Sequence, residues 1–323
     1  MNKKLTVIGG GTGISHILRG LKKYPYDLSA IVNMTDNGGG SGMIRSQWGL
    51  LPPGDLRNCL IALANTEPVM ENLINFRYKD GPLHGQNFGN LLIATMVELY
   101  GSMEEAVKEL SQVLKVSGKV FPVTLENTHL VASFQNGEKC IGESAIPVVA
   151  KRQGTKIDCM KLFPKTPHLY YECGENLQEA DYIFLGPGSL YTSIIPNLLV
   201  QGMTKALKKS KGKKILLMNI MTQAGETEGL SLRDHIQALE FHSYEGVVDI
   251  CLVNNRPLSK AAREAYERDG LNQIFLEEED RAFLEARAIS YYEGDFLEEI
   301  NRSAYHKVEG IHQFLENFTE ECP

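Results

Sequence analysis

Basic charge is scarce in this sequence. Its 323 residues carry 33 Lys and Arg against 40 Asp and Glu, a formal net charge of −7. Nucleic-acid phosphates need a basic partner, so nucleic acid is not an expected partner. The six cysteines, Cys59, Cys140, Cys159, Cys173, Cys251 and Cys322, form no C-x-x-C pair. No metal centre is expected from them, and scattered thiols suit a reducing, cytoplasmic compartment. Long apolar runs are missing: the strongly apolar helical stretch 91–97 is far too short to span a bilayer. The start, Met1-Asn2-Lys3-Lys4, leads straight into an apolar strand and offers no signal-peptide core. No Ser/His/Asp or Cys/His order can be assembled, so no catalytic residue is assigned. Two phosphate fingerprints are absent as well. G-x-G-x-x-G fails because Gly9 and Gly11 are followed by Ile14, and Gly11 and Gly13 by His16; a Walker A sequence does not occur.

What is present is strand–helix alternation. Residues 5–8 and 28–32 read as buried strands, with a helix over 13–23 between them. That helix sets Ile14, Ile17, Leu18 and Leu21 on one face, at i, i+3, i+4, i+7. Asp55 suits the cap of a helix through Leu60 and Leu63. Residues 90–100, apolar nearly all round, predict a buried helix stopped by Gly101, and Ser102 with Glu105 predicts a capping box for the next one. Residues 119–172 lack helical periodicity and read as short strands, with Asn136-Gly137 as a hairpin turn. Strands return at 182–185, 214–219 and 247–253, with helices near 196–209 and 232–242. The tail 303–318 predicts an amphipathic helix with Val308, Ile311, Phe314, Leu315 and Phe318 inward. Apolar strands separated by amphipathic helices imply an α/β fold: a Rossmann-like, doubly wound, mostly parallel sheet in three α/β/α layers. The expected organisation is one domain over 1–323 with a β-rich insertion at 119–172.

Polar, glycine-containing loops follow four of these strands. The first is Gly9-Gly10-Gly11-Thr12-Gly13. The second, after Asp36-Asn37, is Gly38-Gly39-Gly40-Ser41-Gly42, flanked by Arg45, Asp55 and Arg57. The stretch 186–193, opening with Gly186-Pro187-Gly188-Ser189, and the stretch 219–227 supply the others. Backbone N–H groups at such strand ends and helix starts attract anions, so a phosphate-binding cleft is the leading expectation. Asp36 lies about 23 residues beyond Gly13, where nucleotide-binding folds place the acid that accepts a ribose hydroxyl. It equally suits a Mg²⁺ beside a diphosphate. NAD would fit the same cleft. His84 and His235 are candidates to point inward.

These motifs resemble the YvcK/CofD-like family: Val7 through Gly13, Thr35 through Gly42 with Arg45, Pro52 through Asn58, His84 through Asn90, Gly186 through Ser193, and Met221 through Thr227. The resemblance spans roughly residues 4 to 255 and is closest to the gluconeogenesis-factor branch. It implies a Rossmann-like core with a smaller α/β part, often in a homodimer. It also implies binding of UDP-sugars such as UDP-N-acetylglucosamine, and a role in carbon metabolism, cell shape and envelope synthesis. The nucleotide-binding role carries over to Gly10, Gly11, Thr12, Gly13, Asp36, Asn37, Gly188, Ser189 and Asn219. Sugar contacts fall to Tyr266 and Arg302. A regulatory Thr near that Arg is missing, since Arg302 is followed by Ser303, Ala304 and Tyr305. The CofD branch is a 2-phospholactate transferase and shows an Asp-Asp pair where this chain has Asp36-Asn37. Transferase activity is therefore the second reading that the resemblance implies, and an NAD-dependent oxidoreductase the third.

Overall fold

Residues 2–321 are described in this computed structural model; Met1, Cys322 and Pro323 lie outside them. Strand β1 (Lys3–Gly9) leads through α1 (Gly11–Leu21) to β2 (Tyr26–Val32). Helices α2 (Gly39–Trp48), α3 (Gly54–Leu63), α4 (Pro68–Asn75), α5 (Phe88–Tyr100) and α6 (Met103–Val113) precede β3 (Lys119–Pro122). Then come β4 (His129–Phe134), β5 (Lys139–Ile141), α7 (Ile146–Gln153) and β6 (Ile157–Phe163). Helix α8 (Tyr171–Glu179) leads to β7 (Tyr182–Leu185), and a π-helical turn, Leu190–Ile194, opens α9 (Ile195–Leu198). The chain continues through α10 (Met203–Lys209), β8 (Lys213–Leu217), α11 (Leu232–Phe241), β9 (Ile250–Asn254), α12 (Lys260–Arg268), α13 (Glu278–Ala286) and β10 (Ser290–Gly294). It closes with the hairpin β11 (Leu297–Ile300) and β12 (Ser303–His306), then α14 (Val308–Glu321).

The strands form a seven-stranded sheet in the order β10-β9-β8-β7-β1-β2-β3, parallel throughout. The apolar runs explain why it is covered on both faces: β7 and β9 are buried along their whole length. Strand order reverses between β1 and β7, so the loops after these two strands splay apart and leave a crevice. Helices α1, α3 and α14 pack together over one face; α8 with α10, and α11 with α13, pack over the other. The inward face of α1 is Ile14, Ile17, Leu18 and Leu21, as its periodicity predicts. A separate antiparallel sheet, β5-β4-β6, is the β-rich insertion. Among the described residues no helix is long and apolar enough to cross a membrane.

Several expectations need correction. The strand expected in the insertion near residue 121 is β3, the edge strand of the main sheet. The insertion contains a helix, α7, whose buried residues are only Ile146 and Ala150, too few for a visible period. Helix α5 is not buried all round; Ile93 and Ala94 face inward, while Leu99 is 71% exposed beside exposed Tyr100. Residues 303–306 form a strand rather than the start of the last helix, although Val308, Ile311, Phe314 and Leu315 do face the core. Asp55 sits in the first turn of α3 and Pro53 takes the cap position.

Candidate functional site

The crevice holds a cavity of about 490 Å³. Gly10, Gly11, Thr12 and Gly13 line it from the β1–α1 turn, and Gly188 and Ser189 from the loop after β7. Asn219, beyond β8, and Tyr266, on α12, complete the predicted residues that meet there. The loops are tied together from below. Asn33 Nδ2 donates to Thr35 Oγ1 at 2.8 Å and to the Thr192 carbonyl at 3.1 Å. Asn197 Nδ2 donates to the Gly9 carbonyl at 3.2 Å. Gly188 suits the close approach of the two loops: at φ +154°, a Cβ there would lie 3.2 Å from Ser193 Cβ and 3.3 Å from the Gly10 carbonyl oxygen, tighter than ordinary contact.

Asp36 and Asn37 stand beside the cavity and do other work. Asp36 Oδ1 accepts from the Gly38 N–H at 2.8 Å. Asn37 Oδ1 accepts from both the N–H and the hydroxyl of Ser144, each at 3.0 Å. That contact clamps the insertion onto the β2–α2 connection and delivers Glu143 to the cavity wall. Arg302 is not among the described lining residues; it sits exposed in the β11–β12 turn with φ +66°. The second glycine run is not an open loop, because Gly39 through Trp48 is helix α2. His84 is exposed, with its ring against the Lys79 carbonyl, and His235, on α11, is buried with its ring against the Ser231 carbonyl.

Two other histidines reach the cavity unpredicted. His16 lies one turn beyond the first glycine loop, and its ring sits 5.0 Å from that of Tyr305. His306 Nε2 lies 3.0 Å from the Met218 carbonyl, so it carries the proton there; burial pushes this group down to about 4 and keeps it neutral. With Tyr266, whose hydroxyl accepts from the Ala304 N–H at 2.9 Å, these residues form a ring-lined wall opposite the glycines. The alternation of β11 and β12 could have signalled a hairpin, but nothing local told where it would dock.

The electrostatics differ from an empty anion site. The Asp55 carboxylate accepts from the Gly11 N–H, and burial pushes it up to about 6. Glu226 Oε1 accepts from Thr192 Oγ1 at 3.0 Å and the carboxylate also takes backbone N–H groups of Tyr191 and Thr192; burial pushes it up to about 7. Glu143 is driven up to about 8 by burial first, then by Asp36, Asp55 and Glu226. Among the described residues lining the cavity, none is Lys or Arg. Arg45 and Arg57 stay behind the wall: Arg45 donates to the Thr35 and Thr128 carbonyls, and Arg57 to Asn90 Oδ1 at 2.6 Å and Asn58 Oδ1 at 2.7 Å. No group of three or more His, Cys, Asp or Glu among the described residues is arranged to hold a metal ion.

The family profile described as 2-phospho-L-lactate transferase CofD matches residues 5–297. A relative from Thermoanaerobacterium thermosulfurigenes is 44% identical over 317 residues, covering 98% of this chain and 97% of its own. The gluconeogenesis factor of Bacillus subtilis (strain 168) is 38% identical over 309 residues, covering 95% and 96%. A crystal structure of a Bacillus halodurans protein matches with a TM-score of 0.93 at 38% identity, over 98% of this chain and 100% of that one.

Proposed function

The chain belongs to the CofD family, and from that premise we propose that it is a regulatory factor that binds a nucleotide sugar of the UDP-N-acetylglucosamine type. Its role is that of the relatives named gluconeogenesis factor, in carbon metabolism and, through the nucleotide sugar, in cell shape and envelope synthesis. One observation carries this reading: the cavity at the strand-order reversal has glycine backbone on one side and rings on the other. Backbone N–H groups suit a diphosphate, and the wall of His16, Tyr266 and Tyr305 suits the face of a base or sugar. The same reading makes the protein a cytoplasmic homodimer built as one domain.

The description of the matching family favours a second reading, a 2-phospholactate transferase. It would use the same cleft, with Asp36 beside the transferred phosphate. A calorimetric panel of UDP-N-acetylglucosamine, GDP and NAD separates the readings. The expected result is binding of the UDP-sugar at roughly −4 to −8 kcal/mol, millimolar to micromolar. Binding of GDP or NAD with no UDP-sugar binding at millimolar concentration would overturn the proposal.

A further inference from the structure

Helix α4 presents an apolar face that no described residue covers. Of its eight residues only Ile74 is buried. Val69 is 77% exposed, Leu73 44% and Phe76 48%, with Met70 exposed beside them. Val69, Leu73 and Phe76 recur at i, i+4 and i+7, so they form one stripe along the helix. The other sides of α4 are engaged. Ile74 turns towards α5, where a Cβ on Gly89 would lie 2.5 Å from its Cγ2, and Glu71 is tied to Arg19 of α1. The stripe continues past the helix end. The Phe76 ring meets the Tyr78 ring edge-on at 5.2 Å. The loop 77–87, where the Tyr78 N–H donates to the Gln86 carbonyl at 2.9 Å, carries exposed Leu83. A contiguous apolar patch of this kind marks a contact surface.

The charges around the stripe say what covers it. Glu67 stands at the amino end of α4, in the cap position. Arg77 and Lys79 stand just past the carboxyl end, Arg57 lies close enough to act on Arg77, and Asp80 is the one acid of that loop. Glu67, Arg77 and Lys79 are exposed, and none of them forms an ion pair among the described residues. The stripe therefore runs from negative to positive. Its own copy, turned about a two-fold axis, runs from positive to negative. Laid antiparallel, each Glu67 meets the partner's Arg77 and Lys79, apolar side chains meet apolar side chains, and the two helix dipoles oppose. A lipid surface is a poorer match, because the patch is acidic at one end and the whole chain carries −7. At about 12 Å, α4 is short. A stable dimer buries about 800 Å² per partner, so the contact also takes in the loop 77–87.

We propose that α4 is the two-fold interface of a homodimer, packed antiparallel on α4 of a second copy through Val69, Met70, Leu73 and Phe76, with Glu67 set against the partner's Arg77 at each end. This rests on the homodimer of the reading above and is independent of the ligand.

The test is sedimentation equilibrium over about 1–100 µM on the wild-type chain, Leu73→Asp, Glu67→Arg and Arg77→Glu, with circular dichroism to show that each variant is folded. The wild type should dimerise. Leu73→Asp should weaken self-association at least about tenfold, because it places a charge at the centre of the apolar contact. Glu67→Arg and Arg77→Glu should each weaken it about tenfold, because like charges then face each other at both ends. Mixed in equal amounts, the two charge variants should dimerise as tightly as the wild type: the introduced arginine faces the introduced glutamate, and the two native residues face each other. Such rescue occurs only when the partner is a second copy in this orientation. A wild type that stays monomeric would overturn the proposal together with the homodimer, while calorimetry with UDP-N-acetylglucosamine on the same chain decides the ligand reading separately. A dimer that every folded variant leaves intact sinks the interface and upholds the homodimer. Charge variants that turn monomeric and are not rescued by mixing rule out antiparallel self-pairing. If Leu73→Asp fails to fold, the two exposed charge variants decide.

Discussion

Gly11 in the turn at 10–13 and Gly42 in the run at 38–42 read alike in sequence but answer different physical demands. Gly11 adopts φ +70°, and a Cβ placed on it would meet nothing closer than Ser193 Oγ at 4.0 Å. Its glycine is required by the turn, and the space in front of it is open. Gly42 lies inside α2, where a Cβ would come within 2.1 Å of the Asn37 carbonyl oxygen. That glycine is required because backbone lies on backbone. Only the first kind leaves room for something else to approach. A glycine-rich stretch is therefore one sequence signal with two causes, and the φ angle together with the free space tells them apart.

The sharpest way to break this comparison is to place the same residue in both. Gly42→Val should cost about 3 kcal/mol or more of stability, since the clash is with backbone that cannot turn aside. Gly11→Val should cost only about 1–2 kcal/mol of left-handed strain, yet lower UDP-N-acetylglucosamine affinity at least about tenfold. Chemical denaturation and calorimetry on both variants decide it; a Gly42 variant of normal stability, or a folded Gly11 variant of normal affinity, would remove the distinction.

A smaller effect separates the two regions by charge. Asp55 is pushed up to about 6, so the native state holds its proton more strongly than the unfolded chain. Native stability is then lost as pH rises from about 4 to about 6, and the cost of the ionised group stays above that. Asp55→Asn should therefore unfold later than the wild type at about pH 8, by about 1–2 kcal/mol, with the gain vanishing near pH 4. A constant gain across that range would show that ionisation of Asp55 is not the cause. The smallest expected change lies on the opposite wall. Tyr305→Leu should weaken UDP-N-acetylglucosamine by about 0.5–1.5 kcal/mol while leaving the affinity for inorganic pyrophosphate unchanged. Equal losses for both ligands would mean that the ring does not meet the base or sugar.

Much of the scaffold was legible because periodicity is a local property. Ile14, Ile17, Leu18 and Leu21 announce α1, and Tyr-Ile-Phe-Leu announces β7. The strand-end glycines then place a cleft where the strand order reverses. What escaped notice depends on distant partners. Lys-Val-Phe-Pro at β3 is four residues long, and only its pairing with β2 shows that it belongs to the main sheet. Glu143 occupies an ordinary Gly-Glu-Ser turn; its neighbour Ser144 is held by the side chain of Asn37, 107 residues from that serine, and this fixes the place of Glu143. Asp55 looks like the cap of its own helix, whereas it meets the Gly11 N–H of another. Leu99 and Tyr100 carry an apolar pattern that reads as burial, yet they lie on the outside of α5.

The cavity joins Gly10 near one end of the chain to Tyr305 and His306 near the other. Its walls are among the most non-local pairings in the molecule, and loops that long close late in folding. A transition state assembled from nearer neighbours would not yet contain the site. Under the proposed function, a ligand held between the glycine turn and the hairpin would act as a lock rather than a template. It would slow the escape from the native state and leave the rate of reaching it unchanged.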